Sequence, residues 1–297
     1  VIQPIPSTGG SLPATHVYTR NPNTQPAEPA DQVLLQGRTA SQAASPVRAS
    51  EVSPAWGRRV HEVVPAEAAR ALPDSMPPLL RNNAERLAVL GPHPDRWRME
   101  GLPHLRSSEA PDHYMNLEVI QGQDLPPDRY AYARLLEQSG VQREGQGVHF
   151  NGTLPYGLAE HFDTLTAEFA LYRLELDQAG KGNPNPDYLH QLEENLIHEA
   201  GMMSHYVADA TQPLHSTVHF DGWNEKVEPN PGGFRTRKGL HKEFEVFLAN
   251  QVVNPTEIRQ RLGAPSVLEG DPLNFGMDLL KHSHGRVKRL YSLEAQG

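Results

Sequence analysis

The stretch that decides the fold is DYLHQLEENLIHEAGMMSHYVADATQPLH, residues 187–215. Leu189, Leu192, Leu196, Met203 and Val207 recur at steps that fit a period of 3.6, so one face of a helix over 187–211 is apolar. Pro213 ends that helix, because the residue before a proline is pushed out of the helical region. Near the helix end His205 and Asp209 stand four apart and project from the same face. His215 follows just past the break, where the chain can turn back towards that face. Imidazole and carboxylate are ordinary zinc ligands, although a His/Asp pair at this spacing also occurs as a plain surface ion pair.

The flanking segments read the same way. LPYGLAEHFDTLTAEFALYRLELDQAG (154–180) predicts a long helix closed by Gly180. WGRRVHEVVPAEAARAL and MPPLLRNNAERLAVL carry helical apolar spacing, with Pro77 and Pro78 suited to a first turn. LHKEFEVFLANQVV predicts a helix with Leu240, Phe244 and Phe247 towards the core, and FGMDLLKHSHGRVKRLYSL a last one. Residues 93–118 are Pro-rich and aperiodic, hence a long loop of the kind that is usually functional. No run alternates as a strand does. The expected fold is therefore all-α: a single, mostly helical domain with long loops over residues 55–297. Residues 1–54, rich in Pro, Ser, Thr, Gly and Gln, are expected to be a disordered tail or pro-segment.

Composition narrows the chemistry. The chain has 297 residues, no cysteine and a formal net charge of −9. Disulfides and thiolate metal sites are excluded, so a metal here must use His, Asp, Glu or backbone groups. The basic stripe of a duplex-binding protein is missing, but bound cations reverse local sign, so a polyanionic substrate stays open. No apolar run approaches the ~20 residues of a spanning helix. Asn151-Gly-Thr153 is a glycosylation sequon, a triplet that also arises by chance.

A second pair strengthens the metal reading: His241 and Glu245 repeat the four-residue spacing on another helix. Two helices that each offer a histidine and a carboxylate point to a polynuclear site. At this level of detail the chain resembles the S1/P1 nucleases and their relatives, the zinc-dependent phospholipases C, from Trp56 to about Phe247. HYVADATQPLH (205–215) follows the H-Y/F-x-x-D-x-x-Q-P-L-H run of that family, WGRRVH (56–61) its W-G-x-x-x-H form, and the PDRWR, DHYMNLE and GLHKEFE segments supply the remaining positions. The resemblance implies three zinc ions. Asp95, His113 and His205 would hold the first, with Asp209 bridging to a second bound by His61 and by the amino and carbonyl groups of Trp56. His215, His241 and Glu245 would hold the third. It also implies hydrolysis of a phosphodiester at the cluster, with Asp95 and Arg98 catalytic and the Arg98 guanidinium neutralising charge that grows in the transition state.

The departures from the family pattern are specific. The ligand tryptophan of the family is the mature amino terminus, and here 55 residues precede Trp56, so cleavage between Ala55 and Trp56 is expected. Glu245 stands where the nucleases have Asp and the phospholipases Glu. The short Trp-to-His spacing, Arg98 and the long segments before His113 and His241 lean towards the nucleases. The leading expectation is thus a secreted or periplasmic, bacterial-type, monomeric endonuclease that cuts single-stranded DNA or RNA to 5′-phosphate products, with no protein partner. The alternatives are a phospholipase C releasing diacylglycerol and a phosphorylated headgroup, and a non-catalytic protein stapled by zinc. Tyr114 can stack a nucleobase and Asn116 can pair with a base edge, or both can be loop packing, and Tyr114 can also face a choline headgroup. His198 is expected in a supporting or solvent-facing place, His282 and His284 on an exposed helix surface, and His161 and His190 have no partner legible in the sequence.

Overall fold

Prolines punctuate this chain, and about half of its described helices and turns carry one at or just before their first positions. The computed structural model describes residues 57–120, 123–138 and 150–296, all within one compact unit. The tail expected over 1–54, the cleavage point and the Trp56 ligand lie outside the described residues. Among the described residues the fold is all-α with no strand, and no helix is long and apolar enough to cross a membrane.

Helix α1 (Gly57–Ala71) leads through the short α2 (Leu79–Asn82) into α3 (Ala84–Leu90). The helical reading of 76–90 thus holds in two pieces, parted at Asn83, which has left the helical region (φ −112°, ψ 23°). The segment 93–118 departs from expectation. Instead of a structureless loop it forms α4 (His93–Trp97), α5 (Pro103–Glu109) and 3-10 turns at Ala110–His113 and Leu117–Val119. Pro94, Pro103 and Pro111 each sit in the first positions of a turn, where a missing N–H is harmless and φ is already set. One- and two-turn helices are too short to show a periodic apolar stripe, which is why the sequence reads as aperiodic.

After α6 (Arg129–Gln138) come the two long helices, α7 (Leu154–Gly180) and α8 (Pro186–Ala210), joined by 181–185 and packed along each other. Leu192 and Leu196 meet Tyr172 of α7, and Ile197 and Ala200 meet α1, α2 and α3. Leu189, Met203 and Val207 of the expected stripe are only half-buried. The last turns of α8 are enclosed on nearly all sides, with Met202 and Tyr206 among the largest fully buried side chains. That enclosure is what places His205 and Asp209 out of water.

The third layer closes the bundle. A 3-10 turn at Pro213–Ser216 follows α8, and α12 (Pro272–His284) packs on α7 and on that turn. Between them run α9 (Leu240–Lys242), a π-helical turn at Glu243–Leu248, α10 (Ala249–Val252) and α11 (Pro255–Arg261). The last expected helix is two, α12 and α13 (Val287–Glu294), parted at Gly285 and Arg286. Glu67, 2% exposed on α1, is held by Arg70 and by Arg259 of α11, which fastens that outer helix. Asn151 is buried, with its amide donating to the Tyr132 hydroxyl, so in the folded chain the sequon offers no surface acceptor.

The π turn corrects a register. Leu240, Phe244 and Phe247 should share a face in a regular helix, but Phe247 is 55% exposed and the buried positions are Leu240, Glu245 and Ala249. A π turn inserts one residue into the ladder, so the inward stripe steps by five and then by four. The insertion swings the Glu245 carboxylate inward and Phe247 outward.

Candidate metal centre

The centre is assembled from six places in the chain. His61 comes from α1, Asp95 from α4, His113 from the end of a 3-10 turn, and His205 and Asp209 from the last turns of α8. His215 lies in the turn after Pro213, and His241 and Glu245 flank the start of the π turn. Three sets of side chains bring ligand atoms within 4.8 Å of one another: His61, His205 and Asp209; Asp95, His113 and His205; His215, His241 and Glu245. All eight of the described ligand positions anticipated from the sequence fall in these sets.

Asp209 joins them. Its Oδ2 lies 2.9 Å from His113 Nδ1 and 3.2 Å from His205 Nε2, and its Oδ1 lies 3.4 Å from His61 Nε2 and 3.3 Å from His215 Nδ1. Asp95 Oδ1 completes the first set at 3.8 Å from His113 Nδ1 and 3.9 Å from His205 Nε2. In the last set Glu245 Oε1 lies 3.0 Å from His215 Nε2 and 2.7 Å from His241 Nε2. Ligands about 2.0–2.2 Å from a tetrahedral metal stand about 3.3 Å apart, and these separations scatter around that value.

The hydrogen-bonding state of the imidazoles makes the stronger case. His205 Nδ1–H donates to the Gly91 carbonyl at 2.8 Å, so in the neutral ring Nε2 carries a lone pair. That lone pair faces His113 Nδ1 at 3.0 Å, and the same nitrogen faces the Asp209 carboxylate. His61 is fully buried and stacked 3.8 Å from the His205 ring, and neither of its nitrogens has a hydrogen-bond partner among the described residues. His113 Nε2, Asp209 Oδ1, His215 Nδ1 and Glu245 Oε2 are orphaned in the same way. Buried polar atoms are seldom left so, and a cation among them satisfies them together. These buried groups can hold metal ions.

Electrostatics sorts the ligands into two kinds. Burial, reinforced by Arg98, holds His113 well below its ordinary value, and burial with the neighbouring His205 lowers His61. Both rings are therefore neutral and ready to ligate. His215 is the opposite: burial opposes its charge, but the Asp209 and Glu245 carboxylates outweigh it and push it up to about 10. Glu245 is itself held down to about 2, because His241 and His215 outweigh its burial. A metal in that set must displace the His215 proton.

The centre opens on one side. Seven of the eight ligand residues are 5% exposed or less, whereas the His241 side chain is 24% exposed and that of Arg98 21%. Arg98 donates to Asp95 Oδ1 at 2.6 Å, and its partly exposed guanidinium sits on the rim. Tyr114 is half-buried near it. Asn116 is different: it is 4% exposed and its amide donates to the Phe150 carbonyl, so it pegs the loop behind Tyr114 instead of presenting an edge to solution.

Gln212 had no assigned role in the sequence reading. Fully buried, it donates to Glu245 Oε1 and accepts from Leu214 N, so one side chain both caps the Pro213 turn and orients a ligand. Its signal was a capping residue before a proline between two ligands. His161, without a legible partner, bonds Glu199 and stacks on Tyr206 at 4.8 Å. His198, His190 and His282 are exposed, and His284 is half-buried with Nδ1 3.0 Å from the Ser216 carbonyl. No family model, curated protein or solved structure matches the chain.

Proposed function

We propose that the chain is a zinc-dependent phosphodiesterase, an endonuclease that cuts single-stranded DNA or RNA to 5′-phosphate products. The observation that carries this reading is the linked set of three buried ligand clusters with a cationic side chain on its open rim. The donor set fits zinc: five imidazoles and three carboxylates, all nitrogen and oxygen, in sets of three. Zinc bound there would supply Lewis acidity and water activated near neutral pH.

The chain's own residues supply the rest. Asp95 fixes Arg98 through a charge-assisted hydrogen bond, so the guanidinium is oriented before substrate arrives. It is aimed at the place where a non-bridging phosphoryl oxygen gains charge. Seven of the eight ligand residues are buried, which keeps water from most of the centre. Tyr114, beside Arg98, offers a ring face to a base, worth roughly 1–3 kcal/mol, and single strands expose bases that duplexes hide.

A second reading, phospholipase C, has one supporting feature. Phe220, 49% exposed, lies edge-on to the His241 ring at 6.0 Å, so apolar surface flanks the open side. A non-catalytic staple does not explain why Arg98 is held on the rim by a ligand carboxylate. The test is release of acid-soluble nucleotides from single-stranded DNA and RNA by the zinc-loaded chain, with EDTA as control. Release of phosphorylated headgroup from phospholipid vesicles with none from nucleic acid would replace the first reading by the second. Whichever substrate is cut, Arg98→Ala should lower kcat by about a hundredfold to a thousandfold with zinc content unchanged. An undiminished kcat would remove Arg98 from the mechanism.

A further inference from the structure

Beside the metal centre lies a separate cavity of about 340 Å³, between α4, α5, α6, α7 and α8. Its walls include Trp97, Glu109, Asp112, Arg129, His161 and Glu199. It is one side chain away from two metal ligands. The Tyr206 ring lies 5.5 Å from that of His113 and 5.4 Å from that of His205, stacks on His161, and donates its hydroxyl to Glu109 Oε2 at 3.0 Å. Trp97 stands between Asp95 and Arg98 in the chain, so the wall of the cavity continues into the rim of the centre.

The polar groups of the cavity are not equivalent. Arg129 reaches both oxygens of Asp112 at 3.2 Å and Glu160 Oε1 at 2.7 Å, which neutralises that end. Glu199 engages His161 through Oε1, and its Oε2 makes no hydrogen bond among the described residues. Glu109 takes the Tyr206 hydroxyl on one oxygen and Ser108 at 3.5 Å on the other. Two carboxylates therefore keep acceptor capacity, beside an indole.

We propose that this cavity is a nucleobase subsite for guanine, flanking the phosphodiester held at the metal centre. Guanine presents N1–H and the 2-amino group side by side, two donors that a carboxylate accepts together. Thymine and uracil present one N–H between two carbonyls, which acceptor groups repel. The indole of Trp97 supplies the stacking face. At 340 Å³ the cavity is at the small end of ligand sites and fits one base. The phosphate stays outside, near Arg98, where the charge is positive. The proposal rests on the nuclease reading for its biological sense, but it is tested by binding of the uncharged nucleoside, which needs no phosphate and no cleavage.

The experiment is calorimetric titration of the zinc-loaded full chain with guanosine, inosine and thymidine, alongside initial rates on single-stranded oligonucleotides that differ only in G or T content. Guanosine should bind about tenfold to a hundredfold more tightly than thymidine, as for a bidentate base contact. Inosine, which lacks only the 2-amino group, should fall clearly below guanosine. Glu199→Gln should bring guanosine down to the level of thymidine, with its circular-dichroism melt showing a folded chain. The nucleoside series on the unaltered protein stands even where that variant fails to fold. Equal affinity for guanosine and thymidine, or guanosine binding untouched by a folded Glu199→Gln variant, overturns the subsite. Guanosine binding that depends on Glu199, without any cleavage of single-stranded DNA, keeps the subsite and removes the nuclease reading. Cleavage without discrimination does the reverse.

Discussion

Asp209→Asn should reduce the zinc bound after exhaustive dialysis to the single equivalent held by His215, His241 and Glu245, and activity should fall by more than about a thousandfold. Asp209 is the only described side chain that touches four of the imidazoles, His61, His113, His205 and His215, at 2.9–3.4 Å. The amide keeps the shape but loses the charge, and it can offer an acceptor to only one of the two pairs. The companion change Glu245→Gln should remove the other equivalent and leave the Asp209-linked ones. Removing one partner of a buried charged set costs about 3–5 kcal/mol, so both variants should also melt earlier. Metal analysis of the two purified variants is the measurement. A full complement of zinc in Asp209→Asn would show that Asp209 does not bridge.

Removal of metal should lower the melting temperature by more than about 10 °C at pH 8, a size set by the linkage of tight ligands to folding. The pH dependence follows from the groups already described. In the metal-free chain His215 titrates at about 10 when folded against an ordinary 6.5. Its contribution is complete below about 6.5 and is lost as pH rises towards 10. Glu245, held down to about 2 from 4.5, contributes above about 4.5 and loses that contribution as pH falls towards 2. His61 and His113, held neutral below their ordinary 6.5, add a loss that begins as pH falls below about 6.5. The EDTA-treated protein should therefore be most stable near pH 6.5 and weaken on both sides. Metal binding replaces the His215 proton, so the loaded protein should instead gain relative to the stripped one as pH rises. Thermal melts across pH 4–9, with and without chelator, check this. A melting temperature indifferent to EDTA at pH 8 would sink the assignment of metals as staples of this fold.

Most of the centre was legible in the order of residues. His205, Asp209 and His215 share one short run, and His241 with Glu245 share another, because four-residue spacing puts two side chains on one helix face. The two long helices were legible for the same reason: each repeats its apolar period often enough to be read. The short helices over 93–118 and the breaks at Asn83 and Gly285 were not, because one or two turns carry no measurable period and are held by proline φ and tertiary packing instead.

Amino-acid order alone determined the all-α class, the long helices and the paired candidates His205 with Asp209 and His241 with Glu245, since each depends on residues within a few turns of one another. His61, Asp95 and His113, by contrast, were expected only through the resemblance. Tertiary structure alone decided the rest. It set the fate of Asn116, whose amide is taken by Phe150 from across a loop, and the role of Gln212, which reaches Glu245 from a different segment. It turned Phe247 out and Glu245 in through a π turn. It also made the cavity beside Tyr206, whose walls come from five helices. These are contacts between residues far apart in the chain, and no local period encodes them.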